Sequence, residues 1–193
     1  MKCVRVWVYM LTTMEKLLHC SRGDGNGEPA CLSIVPIGPS HLDPLAFLFN
    51  RISEDTSAVH FHPHPFTSAE AKLRANYAGL DYYALMLLGD KVIGYGFLRG
   101  WDERHAIPSL GIYIEKDFRG SGAARVLMEF LHLMASIRGA SRVRLKVHPD
   151  NIRARHLYDR LGYYFSETLE NGEFIGFIDL PSARECQLAA AHS

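Results

Sequence analysis

The sequence lacks paired cysteines and long apolar runs. Its four cysteines, Cys3, Cys20, Cys31 and Cys186, form no CxxC pair. This spacing argues against a disulfide framework or a zinc ribbon, and we expect reduced thiols in a cytoplasmic protein. The longest apolar runs, such as residues 82–88, are far shorter than the roughly 20 residues of a membrane-spanning helix. We therefore expect no membrane partner.

Net charge is also absent. The chain has 21 basic and 21 acidic residues, so no overall positive field would attract a nucleic acid, and we expect no such partner. A chain of 193 residues is most simply one domain with extensions. A glycine-rich polar segment predicts a boundary near residue 30. We assign residues 1–30 to an N-terminal extension that we expect to be poorly ordered, residues 31–180 to the domain, and residues 181–193 to a tail.

The apolar periodicities predict a strand, two helices, three strands, a helix, a strand, a helix and two strands, which is an α/β layer with a mixed sheet. A capping box at residues 67–70 opens the second helix, and a tight turn at residues 89–90 joins two strands. The long third helix is amphipathic, and Ala123, Leu127 and Ile137 lie on its predicted apolar face.

A glycine loop, RGSGAA at residues 119–124, joins a strand to the start of that third helix. Helix N-termini bind anions, and Gly120 and Gly122 would let a phosphate approach the backbone. A nucleoside triphosphate loop would need a Lys-Ser or Lys-Thr pair, which this loop lacks. A dinucleotide fingerprint would need a third glycine, where this chain has Arg125. A helix start without any ligand stays open from the loop alone.

A second motif follows about thirty residues after the glycine loop. It has the pattern N-x-x-A-x-x-x-Y-x-x-x-G-[FY] and consists of Asn151, Ala154, Tyr158, Gly162 and Tyr163. Together, R-G-x-G-x-A after a strand and this second motif resemble the GNAT superfamily of N-acetyltransferases. The likeness covers residues 32–180 and is sharpest over 109–165. It implies a mixed, mostly antiparallel sheet flanked by helices, in which the fourth and fifth strands splay apart.

The resemblance implies acetyl-CoA as cosubstrate and requires no metal. Ile112, Tyr113 and Ile114 would offer backbone groups to the acetyl and pantetheine amides in the gap between the splayed strands. Tyr158 would donate a proton to the departing thiolate, although a packed core aromatic is the alternative. The remaining cofactor-binding residues implied by the motifs are Arg119, Gly120, Ser121, Gly122, Ala123, Ala124, Arg125 and Asn151.

The general base usual in this superfamily is missing. Many relatives carry a glutamate on the fourth or fifth strand, where this chain has residues 109–110 and Lys146. The nearby loop WDERH offers Asp102, Glu103 and His105. We predict Glu103, the group more typical of the family, or His105, whose ordinary pKa suits a base at neutral pH. A proton path through water and a merely polar loop stay open.

Three histidines precede the second helix, within the stretch HFHPHPFT at residues 60–67. In an extended chain His60, His62 and His64 would point to one side, which is a possible metal-ligand spacing. The resemblance instead places the stretch along one wall of the acceptor pocket. We therefore predict that His62, His64 and Phe66 contact the acceptor. A metal site and simple packing are the alternatives.

The sequence thus predicts an acetyl-CoA-dependent enzyme that transfers an acetyl group directly to a primary amine of a small molecule, such as an amino sugar. A non-catalytic acetyl-CoA-binding sensor is the main alternative, and a metal-dependent hydrolase is a third hypothesis. The identity of the acceptor and the oligomeric state stay open, with a homodimer as one option.

Overall fold

The computed structural model of the chain describes residues 31–169 and 171–181. The predicted N-terminal extension and residues 182–193 of the predicted tail lie outside these residues. The strands of the described part are β1 (Leu32–Pro36), β2 (Tyr82–Leu88), β3 (Lys91–Arg99), β4 (Ser109–Ile114), β5 (Arg142–Val147), β6 (Tyr164–Thr168) and β7 (Phe174–Asp179). The α-helices of the same part are α1 (Leu42–Glu54), α2 (Ser68–Ala75), α3 (Ala123–Ile137) and α4 (Ile152–Leu161).

The strands form one seven-stranded sheet in the order β1-β2-β3-β4-β5-β7-β6. Neighbouring strands run antiparallel, except that β4 and β5 run parallel. The register of β4 and β5 pairs only Ser109 with Arg144. Beyond that pair the two strands diverge, so the predicted fold class with its splayed fourth and fifth strands is confirmed.

Helices cover both faces of the sheet. Helices α3 and α4 pack on one face, where Leu127, Leu131 and Val143 belong to the core. Helices α1 and α2 pack on the other face over a second buried cluster that includes Phe49 and Tyr95. Strand β2 is buried on both faces, which explains its continuous apolar sequence YYALMLL. Side chains of β4 and β5 therefore alternate between the α3 side and the α1 side.

The predicted cap of α2 is present in the structure, whereas the predicted apolar face of α3 is partly wrong. Thr67 is the N-cap of α2, and its hydroxyl accepts from the Glu70 N–H at 3.1 Å, as the capping box predicts. The predicted apolar face of α3 is wrong at Ile137, which is 67% exposed. The buried face is centred nearer Leu131 and Ala135. Because α3 is apolar around most of its circumference, its pattern alone does not define which side meets the sheet.

No helix within residues 31–169 and 171–181 is long and apolar enough to cross a bilayer.

Candidate functional site

The gap between β4 and β5 exposes strand backbone. The Glu115 N–H donates to the Ile93 carbonyl of β3 at 2.9 Å. Because every second residue of an antiparallel strand forms hydrogen bonds with the same neighbour, Tyr113 also directs its N–H and C=O toward β3. Ile112 and Ile114 direct theirs toward the gap. The Ile114 carbonyl accepts from the Arg119 side chain at 2.9 Å. Of the three strand residues predicted to contact the cofactor, Ile112 and Ile114 thus direct backbone groups into the gap, whereas Tyr113 does not.

The glycine loop leads directly into α3. Gly120 and Gly122 have positive φ angles of 87° and 96°, where a side chain would be strained. Gly122 is the N-cap, and the Ala123 N–H donates to the Ser121 hydroxyl at 3.3 Å. Among the described residues, the N–H groups of Gly120, Gly122 and Ala124 have no acceptor. Such a cluster at a helix N-terminus is suited to binding an anion.

The Arg119 side chain ties this loop to the end of α1. Its guanidinium donates to the Ser57 hydroxyl at 2.5 Å and forms an ion pair with Asp55. Partial burial acts to raise the pKa of Asp55, but hydrogen bonds from Ser57 and Arg119 lower it to about 2. A second ion pair, Arg51 with Glu115 at 2.8 Å, joins α1 to the residue that directly follows β4. The Arg119 guanidinium is therefore already bound to Ser57 and Asp55 of the same chain.

Helix α4 carries the second motif. Asn151 is its N-cap, and the side-chain oxygen accepts from the Ala154 N–H at 3.2 Å. The ring of Tyr158 packs near that of Tyr163, with 5.5 Å between centroids. The Tyr158 hydroxyl has no hydrogen-bond partner in the described part of the chain. Desolvation raises the pKa of Tyr158 to about 12, so the phenol keeps its proton at neutral pH.

A pocket of about 700 Å³ opens on the α1 side of the sheet. Its floor comes from β3, β4 and β5 where β4 and β5 begin to diverge. Its walls come from residues 59–63, the loop at residues 100–105 and the hairpin residues Asn171 and Glu173. This volume falls within the roughly 300–1,000 Å³ of small-molecule sites.

A buried carboxylate shapes the loop at residues 100–105. Asp81 is 7% exposed and accepts from the N–H groups of Gly100 at 2.8 Å and Trp101 at 2.9 Å. The His105 N–H donates back to the Gly100 carbonyl at 2.8 Å. Arg104 at the tip has a φ of 61°, the one positive φ of a non-glycine residue in the described ranges. The loop is thus held in one tight conformation.

The three acidic or basic candidates on this loop have different surroundings. Asp102 accepts from the Leu80 N–H at 2.8 Å and from the Tyr77 hydroxyl, and the latter bond lowers the pKa of Asp102. Glu103 and His105 line the pocket. The structure therefore assigns Asp102 to holding the loop and brings the two predicted base candidates, Glu103 and His105, to the pocket.

His64 lies in the core. Its side chain is 4% exposed, and its two ring nitrogens bond to the Tyr95 hydroxyl and the Pro65 carbonyl, each at 2.9 Å. Its ring also packs against Phe49 and Phe66. Burial lowers the pKa of His64. The structure places His64 in the core beneath α1, with the partly buried Phe66 packed against the same cluster, and neither side chain lines the pocket.

His62 and His60 face the pocket, together with His148 of the segment after β5. The rings of His60 and His148 stack, with 4.0 Å between centroids and a 6° interplanar angle. Ligand atoms of His60, His148 and Asp150 lie within 4.8 Å of one another and could hold a metal ion. Because His64 is buried elsewhere, the three histidines of the sequence stretch do not form one ligand set.

The sequence interpretation missed the basic floor of the pocket. Arg144 and Lys146 of β5 and Arg99 of β3 all line it. The sequence does indicate this basic floor, because basic and apolar residues alternate along β5. One face carries Arg144 and Lys146, continued by His148, and the intervening residues are buried in the core on the other face. The buried residues are Val143, Leu145 and Val147.

Comparisons with known proteins agree with this architecture. A model of the acetyltransferase (GNAT) family matches residues 47–163. A GNAT-family acetyltransferase from Streptococcus pneumoniae is 21% identical, with 78% of this chain and 100% of that chain covered and a TM-score of 0.64. The structure of yncA from Salmonella typhimurium with its cofactor acetyl-CoA is 15% identical, covering 78% and 94%, with a TM-score of 0.63. The ribosomal-protein-S18-alanine N-acetyltransferase from Escherichia coli is 17% identical, covering 79% and 96%, with a TM-score of 0.59.

Proposed function

Because this chain belongs to the GNAT acetyltransferase family, we propose that it transfers an acetyl group from acetyl-CoA to a primary amine of a small molecule. One observation carries the proposal. The gap between β4 and β5 has, near one end, at the start of α3, a cluster of N–H groups that no described residue accepts from, and at the other end a pocket of small-molecule size. A donor and an acceptor could therefore meet inside the gap.

The residues present fit acetyl-CoA. The free N–H groups of Gly120, Gly122 and Ala124 would bind its pyrophosphate. Ile112 and Ile114 would hydrogen-bond its pantetheine arm through the strand edge that β5 leaves unpaired. When bound, acetyl-CoA supplies a thioester whose C–S bond breaks as the amine nitrogen forms a C–N bond with the acetyl carbon.

Two proton transfers are assigned to the chain's own residues. The Tyr158 hydroxyl, which is protonated and without a partner in the described residues, donates its proton toward the departing sulfur. Glu103 or His105 at the pocket wall accepts the proton that the amine loses. Asp102 is not assigned this role, because its carboxylate already accepts two hydrogen bonds.

The test is turnover of acetyl-CoA with a panel of primary amines, followed by release of free thiol and by the mass of the product. We expect amine-dependent thiol release and a product that has gained one acetyl group. Tight binding of CoA without acetylation of any amine would favour the sensor instead. Stoichiometric bound metal and loss of activity with a chelator would favour metal chemistry at His60, His148 and Asp150.

A further inference from the structure

The pocket has more cations than carboxylates. Among the described residues, its lining includes the basic side chains of Arg99, Arg144 and Lys146 and two carboxylates, Glu103 and Glu173. The whole chain, by contrast, has a formal net charge of zero. A positive field is therefore concentrated at this concave site, and low-dielectric walls strengthen such a field.

These three cations have no counterion within the described residues. The Arg144 Nε donates to the Ser109 hydroxyl at 2.8 Å, and an Arg99 nitrogen donates to the Pro63 carbonyl at 2.7 Å. Lys146 is exposed and makes no such bond in the described part of the chain. Five arginines outside the pocket do form ion pairs with carboxylates, namely Arg51, Arg74, Arg119, Arg125 and Arg142.

Neighbouring like charges repel one another, so a group of cations without counterions attracts an anionic ligand more strongly than an isolated cation does. Arg144 and Lys146 extend from the same face of β5, and the Ser109 hydroxyl orients the Arg144 guanidinium by accepting a hydrogen bond from its Nε. The two terminal nitrogens of that guanidinium make no hydrogen bond to any residue that the structure describes. A planar guanidinium with a fixed orientation is suited to binding a carboxylate or phosphate through two bonds.

We propose that the acceptor amine also carries an anionic group, a carboxylate or a phosphate, and that Arg144, Lys146 and Arg99 bind this group. The inference rests on the proposed function and specifies its substrate class. Glu103 and His105 stand on a different wall of the same pocket, formed by the loop at residues 100–105. The amine would face that wall while the anion faces β5. Polycationic amines would be repelled.

The experiment compares acceptors in matched pairs that differ only in the anionic group. Glucosamine 6-phosphate with glucosamine tests a phosphate, alanine with alaninamide tests a carboxylate, and putrescine represents a dication. Initial rates with saturating acetyl-CoA measure turnover. Calorimetric titration into CoA-saturated protein measures binding without turnover. We expect at least one anionic member to exceed its neutral partner about tenfold in kcat/KM and in affinity, and putrescine to be the poorest ligand.

Lys146→Gln removes one cation without disturbing a hydrogen bond, and Arg144→Gln removes a second. Lys72→Gln, at an exposed position of α2 outside the pocket, is the matched control. The anionic preference should shrink severalfold in each pocket variant and stay unchanged in the control. Added salt should weaken the same preference, because screening acts on charge pairs.

The results distinguish failure of the transferase function from failure of the anionic-acceptor proposal. Anion binding that depends on Lys146, without turnover of any amine, would support the inference and refute the transferase function. Turnover that favours neutral or dicationic amines would support the transferase function and refute the inference. A preference for anions that survives both Lys146→Gln and Arg144→Gln would also refute it, as would equal binding of both members of every pair.

Discussion

Replacing Tyr158 by phenylalanine separates its proposed catalytic role from packing. The change deletes one hydroxyl and keeps the ring beside Tyr163. Because the hydroxyl has no partner in the described residues, no hydrogen bond inside the fold is lost with it. The melting temperature should therefore stay within about two degrees of the parent value, since a change that removes no contact is worth at most about 0.5 kcal/mol.

The effect of Tyr158→Phe on turnover follows from the protonation state of the Tyr158 phenol. A pKa of about 12 keeps the phenol neutral, so it can donate a hydrogen bond to the sulfur as negative charge develops there. A hydrogen bond to a charged group contributes about 1.5–3 kcal/mol. At about 1.4 kcal/mol per tenfold in rate, kcat should fall roughly ten- to 150-fold. The dissociation constant for CoA should stay unchanged, because the bond strengthens only during the reaction.

The neighbouring tyrosine offers a matched control. The Tyr163 hydroxyl bonds to the His132 ring at 2.8 Å, and both groups are largely buried. Tyr163→Phe should leave the imidazole unsatisfied and cost about 1–3 kcal/mol of stability, with kcat retained. Thiol release, calorimetry with CoA and thermal unfolding on both variants provide the comparison. Parent-like kcat in a folded Tyr158→Phe variant would refute the general-acid assignment.

Three further predictions concern the loop, the base and acid stability. Ala124→Glu adds a carboxylate that suits the N-terminus of α3 but repels phosphate. Calorimetry should show CoA binding weakened at least about tenfold, whereas Leu133→Glu, at a position 55% exposed on the same helix, should leave CoA binding unchanged. Equal CoA affinities of the two variants would refute the phosphate-binding role of the loop. Either Glu103→Gln or His105→Gln should flatten the acidic limb of the pH profile of kcat/KM. If both variants retain that limb, it reports protonation of the acceptor amine and not of a base on the protein. Burial lowers the pKa of His132 to about 4, so the stability contributed by its neutral form is complete above pH ~6.5. The free energy of unfolding should fall by about 3 kcal/mol as pH decreases from there toward 4. Urea unfolding that gives the same free energy across this pH range would contradict the prediction.

The order of elements was predictable because local patterns carry it. The sequence SLGIYI predicts β4, and the structure has a strand with those same bounds. The turn at residues 89–90 and the cap at Thr67 rest on chemistry within four residues. The direction in which a helix faces is less local. Ile137 is exposed because the orientation of α3 depends on the sheet beneath it, which no window of the helix sequence reports.

In the candidate site, too, features that depend on local sequence were predictable and features that depend on distant residues were not. The conformation of the glycine loop was predictable because positive φ angles and N–H groups at a helix start follow from the motif itself. The histidine stretch was not, because an alternating pattern assumes an extended chain. His64 is instead drawn into the core by Tyr95, 31 positions away in the sequence. The distinct role of Asp102 likewise depends on Tyr77 and Leu80, which are distant along the chain.

The missing strand glutamate and the basic floor of the pocket have a common physical explanation. Lys146 stands on β5 where some relatives carry a glutamate, and it lines the pocket beside Arg144. A carboxylate there would repel an anionic acceptor, whereas a lysine attracts it. A proton acceptor must then stand away from the anion, and the loop that Asp81 holds in place presents Glu103 and His105 from a separate wall. The position of the proposed base and the charge of the proposed acceptor therefore depend on each other, and Lys146→Glu should weaken binding of an anionic acceptor more than Lys146→Gln does.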